Sequence, residues 1–515
     1  MTGRRLAAAV VTVTVCLVLA ACTGGEDEPA DPSPTTATTV TTLAPDGTIR
    51  LGVPTEPASL DPFDSRSRTP AGLAILGVVL PQLFAVDPDG EVVGVAVEAG
   101  SVREAADGRT ASFRLEKDAV WSDGQPISVD DVRFTLETVR GDAWPGPRAG
   151  YDRITAVGGE GRTVRFSFDP PLPGWRRLFS GDDFLLPSHR LAGRDLEREW
   201  QGGPDLAGGP FRLGPVTRGL EVVLSRNEAW WGKGPRVGAV RVLVVPDVRT
   251  MEQLLERGEL DVAWPSATTN RIGRFRRLGD VAMSVAEPGG RLALLVANTE
   301  ALSAERRRAL LGLPDRDRFA AVFLEGEAAP AATLVPPVEA DGSEGPWRAV
   351  VPDSSAGGIG AAFEGTFVAA EELPMASLMG RLLESGVRGR GGELELKYAE
   401  STVVDASWLP DGEFDLAMVE RVAWPAPCWR CWFGEEAGGR GNLTRISGLD
   451  DLATAADGGD AAAAGDLQES LRSRGVLLPL WRPRAVLVGR GVQGLEANSW
   501  STGPFWGVER WAPAG

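Results

Sequence analysis

The chain has 515 residues, 43% of them hydrophobic and 24% charged, with a formal net charge of −18. That acidic balance argues against nucleic acid as a partner, because phosphate binding needs clustered lysine and arginine. A single histidine, His189, leaves little room for imidazole acid–base catalysis or a histidine zinc site, so no cofactor and no enzymatic activity are expected.

At the start, Arg4 and Arg5 precede an apolar run over residues 6–19, which ends in Leu19-Ala20-Ala21-Cys22-Thr23. A positive n-region, a short apolar core and small residues before a cut describe a secretory signal. The run is shorter than the about 20 residues a helix needs to cross a bilayer. A cysteine just after the small residues resembles the lipobox of bacterial lipoproteins. That resemblance implies a signal peptide over residues 1–21 and lipid on Cys22. The alternative is an ordinary cleaved signal with an incidental cysteine. Residues 22–47 are rich in Thr, Pro, Gly and acidic side chains, too poor in apolar surface to offset ordering entropy, and are expected to form a disordered tether. No later apolar run approaches spanning length, so lipid is the expected sole attachment, on the outer face of the cell membrane.

Beyond the tether, residues 48–53 alternate as a first strand and lead into the turn-rich Glu56-Pro57-Ala58-Ser59-Leu60-Asp61-Pro62. Another strand is predicted at 112–115. Ser128 then reads as a helix N-cap, with Asp130 and Asp131 in the first turn and Val132, Leu136 and Val139 on one face. Strands are predicted at 163–168, 220–225 and 240–245. A helix over 250–257 should stop at Gly258, followed by a short buried strand at 260–263. A strand at 291–298 precedes Ser303, which caps an Arg-rich helix. Residues 341–365 and 434–442 read as Gly-rich loops. A helix is expected at 378–384, strands at 393–398 and 414–419, and an Ala-rich helical stretch over 450–474 broken at Gly458-Gly459. This alternation predicts a mixed α/β architecture with sheets covered on both faces.

Several motifs occur in a telling order. Leu60-Asp61-Pro62 follows the first strand, and Trp121-Ser122-Asp123-Gly124-Gln125-Pro126 leads into Asp130-Asp131-Val132-Arg133-Phe134-Thr135. Gly208-Gly209-Pro210-Phe211-Arg212 precedes Arg226-Asn227-Glu228-Ala229-Trp230-Trp231, and Val244-Val245-Pro246-Asp247 precedes Gly258-Glu259-Leu260-Asp261. Asn298-Thr299, Arg307-Arg308-Ala309-Leu310 and Phe414-Asp415-Leu416-Ala417 complete the set. Together they resemble the extracytoplasmic solute-binding proteins of the peptide/nickel type, the oligopeptide- and dipeptide-binding lipoproteins of ABC importers.

The resemblance implies a two-lobed periplasmic-binding-protein-like α/β fold with an inserted third domain and a ligand cleft between lobes. It implies a main lobe from 48–80, 205–283 and 485–515, an inserted subdomain over 81–204 and a second lobe over 284–484. It also implies capture of a peptide or other small solute by a monomer that delivers it to permease and ATPase subunits.

The chain departs from the family where peptide-binding members place an aspartate for the ligand's α-ammonium. Residues 420–427 contain none, although Glu420 or Glu435 could take the role. Trp424, Trp429 and Trp432 are candidate ligand-facing aromatics, against a packed Trp-rich loop as the alternative. Arg421 and Arg430 are candidate carboxylate anchors, against ordinary solvated arginines. Cys428 and Cys431 are most simply a local disulfide in an exported protein, with free thiols or a redox or metal role as alternatives. Two other functions compete with transport: an envelope sensor or scaffold of the same fold, and an exported hydrolase.

Overall fold

The computed structural model describes residues 47–514 apart from 147, 149, 173, 181–182, 266–270, 325–327, 335–358, 361, 372, 423–428, 435–443 and 501–502. The signal, Cys22, the tether up to residue 46, Trp424, Cys428, Glu435 and most of the two expected Gly-rich loops therefore lie outside the described residues, as does the side chain of Cys431. No described helix is long and apolar enough to cross a membrane.

The alternating residues 48–53 form the strand Thr48–Val53, whose Ile49 and Leu51 are fully buried. It runs parallel to Ala239–Val244 on one side and to Val262–Ala263 on the other. Antiparallel strands extend this centre to seven: Glu221–Arg226 and Phe211–Thr217 beyond the first neighbour, Val486–Arg490 and Val281–Val285 beyond the second. Arg50 and Asp261 tie the centre together with an ion pair of 2.7 Å between neighbouring strands, and Asp261 also accepts the Arg50 backbone N–H at 2.7 Å.

A second sheet of six strands runs in the order Ala328–Pro330, Leu477–Pro483, Arg291–Ala297, Leu416–Val422, Glu364–Ala370, Glu393–Ala399. A third, of four antiparallel strands, lies between Arg103 and Phe168 in the chain. Against that small sheet packs the helix Val129–Arg140, opened by a capping box in which Ser128 and Asp131 satisfy each other's backbone N–H groups. Its Val132, Leu136 and Val139 are all at most 2% exposed, the face the sequence spacing predicts. The Ala-rich stretch splits into Asp450–Asp457 and Ala461–Arg474, with the break at Gly458 and Gly459.

The chain passes twice between the two large sheets, from Val285 to Arg291 and back from Pro483 to Val486. The crossings lie side by side, with Ala286 N–H donating to Ala485 O at 3.0 Å. Arg482, only 2% exposed, donates to Gly289 O and Thr333 O, and Arg484 pairs with Glu287 at 3.0 Å. A Cβ on Gly289 would stand 2.4 Å from Ser499 O, so only glycine fits there.

Candidate functional site

Both crossings connect at one edge of each large sheet, and that edge decides where a site can lie. In the seven-stranded sheet it holds the carboxyl ends of the three parallel strands, at Val53, Val244 and Ala263. Carboxyl ends of parallel strands are where open α/β sheets present loops to a ligand.

A cavity of about 680 Å³ sits at this edge. Its floor is the turn-rich loop after Thr48–Val53. Its sides are the tip of the hairpin joining Phe211–Thr217 to Glu221–Arg226, and the segment around Glu197 and Gln201. The volume falls in the range of small-molecule sites, about 300–1,000 Å³. All its described lining residues precede Val285, so they come from the seven-stranded sheet and the segment before it.

The lining is acidic, with Glu56, Asp61, Asp64, Glu197 and Glu221 against Arg66 and Arg218. Glu56 is committed to structure, because its Oε1 accepts the Gly219 N–H at 2.7 Å and so ties the hairpin tip to the loop. Glu221 pairs with Arg241 at 2.6 Å. Asp64 takes a two-pronged bond from Arg66; burial opposes its charge, but the Arg66 donors outweigh this and hold its carboxyl below the usual range. Asp61, 5% exposed, is pushed up by burial, only partly relieved by the Phe63 N–H at 3.0 Å. The Leu60-Asp61-Pro62 motif thus brings Leu60 and Asp61 to the cavity. The cluster spreads over three distant segments, and only the turn chemistry after the first strand could have pointed to it.

Across from this edge, the six-stranded sheet presents the start of Arg291–Ala297 and the end of Leu416–Val422. Glu420 is engaged by Arg291, whose Nε donates to Oε1 at 2.6 Å, which occupies one oxygen of the carboxylate considered as a substitute ammonium partner. Arg421 reaches Asp405 at 2.7 Å.

The helix Trp429–Phe433 then turns its aromatic side chains inward. Trp429 and Trp432 are 1% and 5% exposed and share a hydrophobic cluster with Leu292, Leu294 and Val419. Neither indole is placed on a surface. Arg430 points outward to Asp152, at 2.9 Å. Of the sequence candidates, Arg421 and Arg430 are thus both ion-paired, while Trp424 and Cys428 lie outside the described residues. His189 sits on the short helix Ser188–Leu191, 3.0 Å from Asp123.

The helix Trp429–Phe433 is capped by Asp457, which accepts the N–H groups of Trp429 at 2.8 Å and Arg430 at 3.1 Å. Burial raises the Asp457 carboxyl to about 6, against the opposing pull of those two N–H groups. The folded state therefore holds this proton more tightly than the unfolded chain, whose carboxyl titrates near 3.8. Stability must then fall as pH rises from about 4 to about 6, by about 3 kcal/mol for this group alone. Asp457→Asn should flatten that part of the profile. Urea unfolding of both proteins between pH 4 and 7 reads the difference, and parallel curves would refute the assignment.

The family model described as bacterial extracellular solute-binding proteins, family 5, middle region, matches residues 95–356, just over half of the chain. The oligopeptide-binding protein OppA of Mycobacterium tuberculosis is 28% identical over 256 residues, which cover 46% of this chain and 43% of OppA. The probable monoacyl phosphatidylinositol tetramannoside-binding protein LpqW of the same species is 26% identical over 331 residues, covering 60% and 50%. The matches thus span half or less of these relatives' length. Among solved structures, the oligopeptide-binding protein AppA from Bacillus subtilis, in complex with a nonapeptide, superposes with a TM-score of 0.75. It is 17% identical and covers 91% of this chain and 99% of AppA.

Proposed function

The chain belongs to the bacterial extracellular solute-binding proteins of family 5, and from that premise we propose that it captures a peptide or peptide-like solute for an ABC importer. Its fold is the two-lobed α/β fold of periplasmic binding proteins, and its relatives are solute-binding proteins, not enzymes. The observation that carries the reading is the cavity of about 680 Å³ at the carboxyl ends of the parallel strands, on the edge where both crossings meet the second lobe. Its volume suits a solute of a few residues. Its carboxylates favour an ammonium or hydroxyl-bearing part of that solute over an acidic one. OppA is named for oligopeptides and AppA was solved with a nonapeptide, which supports the peptide class.

Sheet membership supports lobes drawn from 48–80, 205–283 and 485–515 on one side and 284–484 on the other, with 81–204 as the inserted subdomain. In this reading the protein is a monomer moored to the outer face of the cell membrane by lipid on Cys22, and it hands its solute to permease and ATPase subunits. Native mass spectrometry of the purified mature chain is the direct test. A co-purified set of peptides is expected, released on mild denaturation. A single sugar, a single metal chelate or chemical turnover of added peptides would overturn the peptide reading.

A further inference from the structure

The three residues Tyr151, Asp152 and Arg153 form one 3-10 turn at the rim of the small four-stranded sheet. Tyr151 faces inward and donates to Asp183 at 2.7 Å. The next two residues face the opposite lobe. Asp152 receives Arg430 at 2.9 Å, and Arg153 donates from Nη2 to Thr454 O at 2.8 Å. These contacts join positions 278 and 301 residues apart.

Arg153 is only 4% exposed, an unusual setting for a guanidinium. Burial of that kind needs compensation, and the second lobe supplies it. Thr454 lies in the last turn of the helix Asp450–Asp457, where carbonyls and the helix dipole favour a cation. The Asp457 carboxylate exerts an attraction on both Arg153 and Arg430. Among the described residues, Arg153 Nη1 has no hydrogen-bond partner, so the guanidinium is held by Nη2 and by its charged surroundings. At Gly458 a Cβ would lie 3.6 Å from that same nitrogen, an ordinary packing distance, so the end of the helix sits directly against the guanidinium.

The four groups make a circuit. Asp457 caps the helix that carries Arg430, Arg430 returns to Asp152, and Asp152 adjoins Arg153, which docks on Thr454 O in the helix that ends at Asp457. We propose that Asp152, Arg153, Arg430 and Asp457 form a clasp between the inserted subdomain and the second lobe, one that sets how readily the cleft opens. Arg430 then acts on solute retention through lobe position and not as an anchor for the solute's carboxylate. The peptide backbone joins the lobes at the two crossings, and the clasp is a second, breakable connection. The Arg430–Asp152 pair is polar, partly exposed and spans the two lobes, so salt or a reversed charge should release it without damage to either core.

The clasp goes beyond the solute-capture reading, and its first readout needs no solute. The purified full chain would be compared with Asp152→Arg, Arg430→Asp and the double reversal by small-angle X-ray scattering at low salt. Each single reversal should shift the radius of gyration upward, and the double reversal should bring it back toward the parent value. Arg153→Met should expand the particle as well. Hydrogen exchange over 150–153 and 429–433 serves as the second measurement, with faster exchange expected at both segments in the single variants and the remaining amides unchanged. Single variants that scatter and exchange like the parent would overturn the clasp. So would a double reversal as expanded as the singles.

Discussion

Trp121→Ala should lower the unfolding free energy by about 3–5 kcal/mol, the usual cost of emptying a buried tryptophan site. Trp121 is fully buried in the cluster that unites the four-stranded sheet with the helix Val129–Arg140. Its backbone closes the turn at Gly124, and its ring packs where a Cβ on Gly208 would stand 3.1 Å away. The indole N–H also reaches Asp131 Oδ2 at 3.3 Å. Asp131 is itself 1% exposed and serves as a hub, accepting from Ser128 N–H, Ser188 N–H and Ser188 O–H at 2.8–2.9 Å. Truncation therefore removes apolar packing and one of the donors to a buried carboxylate together, a combination that pushes the cost toward the upper end. Trp121→Phe keeps most of the packing and should cost less than the alanine change. Denaturant unfolding followed by tryptophan fluorescence gives both values. An alanine variant within about 1 kcal/mol of the parent would show that the cluster tolerates collapse.

The second large effect concerns attachment. Cys22→Ala should move the protein from the membrane fraction into the medium. Lipid insertion contributes about 0.8 kcal/mol per buried methylene, so stable anchoring by acyl chains is lost in one step when their attachment point disappears. No described helix offers a substitute anchor. Fractionation of cells followed by immunoblotting would read the change, and a Cys22→Ala protein still sedimenting with membranes would refute the lipobox.

Local punctuation carried most of the fold into view. The Ser128 cap with Asp131, the strand at 163–168 and the interruption at Gly458-Gly459 are short-range effects, fixed by residues within a few positions of one another. The start of the helix Val248–Glu256 fell two residues earlier than the pattern suggested, because Asp247 caps it through Thr250 N–H. The site was less legible. Trp429 and Trp432 sit in a helix of five residues, too short to show a period, so composition alone could not tell an inward indole from an outward one. Arg430 resembled any surface arginine until a partner 278 residues away appeared. The acidic cavity likewise depends on stretches around Glu56, Glu197 and Glu221 that are distant in the chain and meet only in the fold.

The order of strands in the large sheet also constrains how the molecule is made. Val486–Arg490 lies between Val262–Ala263 and Val281–Val285, and the latter pairs with nothing else in that sheet. A nascent chain synthesised as far as Val285 thus carries an orphan ribbon, while 198 residues separate Ala286 from Arg484 on the return crossing. The intervening lobe can collapse on its own hydrogen bonds, but Val281–Val285 stays unpaired in the seven-stranded sheet until the returning segment slots in. Export before that moment would meet a threadable polymer, and maturation would finish on the far side of the membrane with the last strand as its bolt.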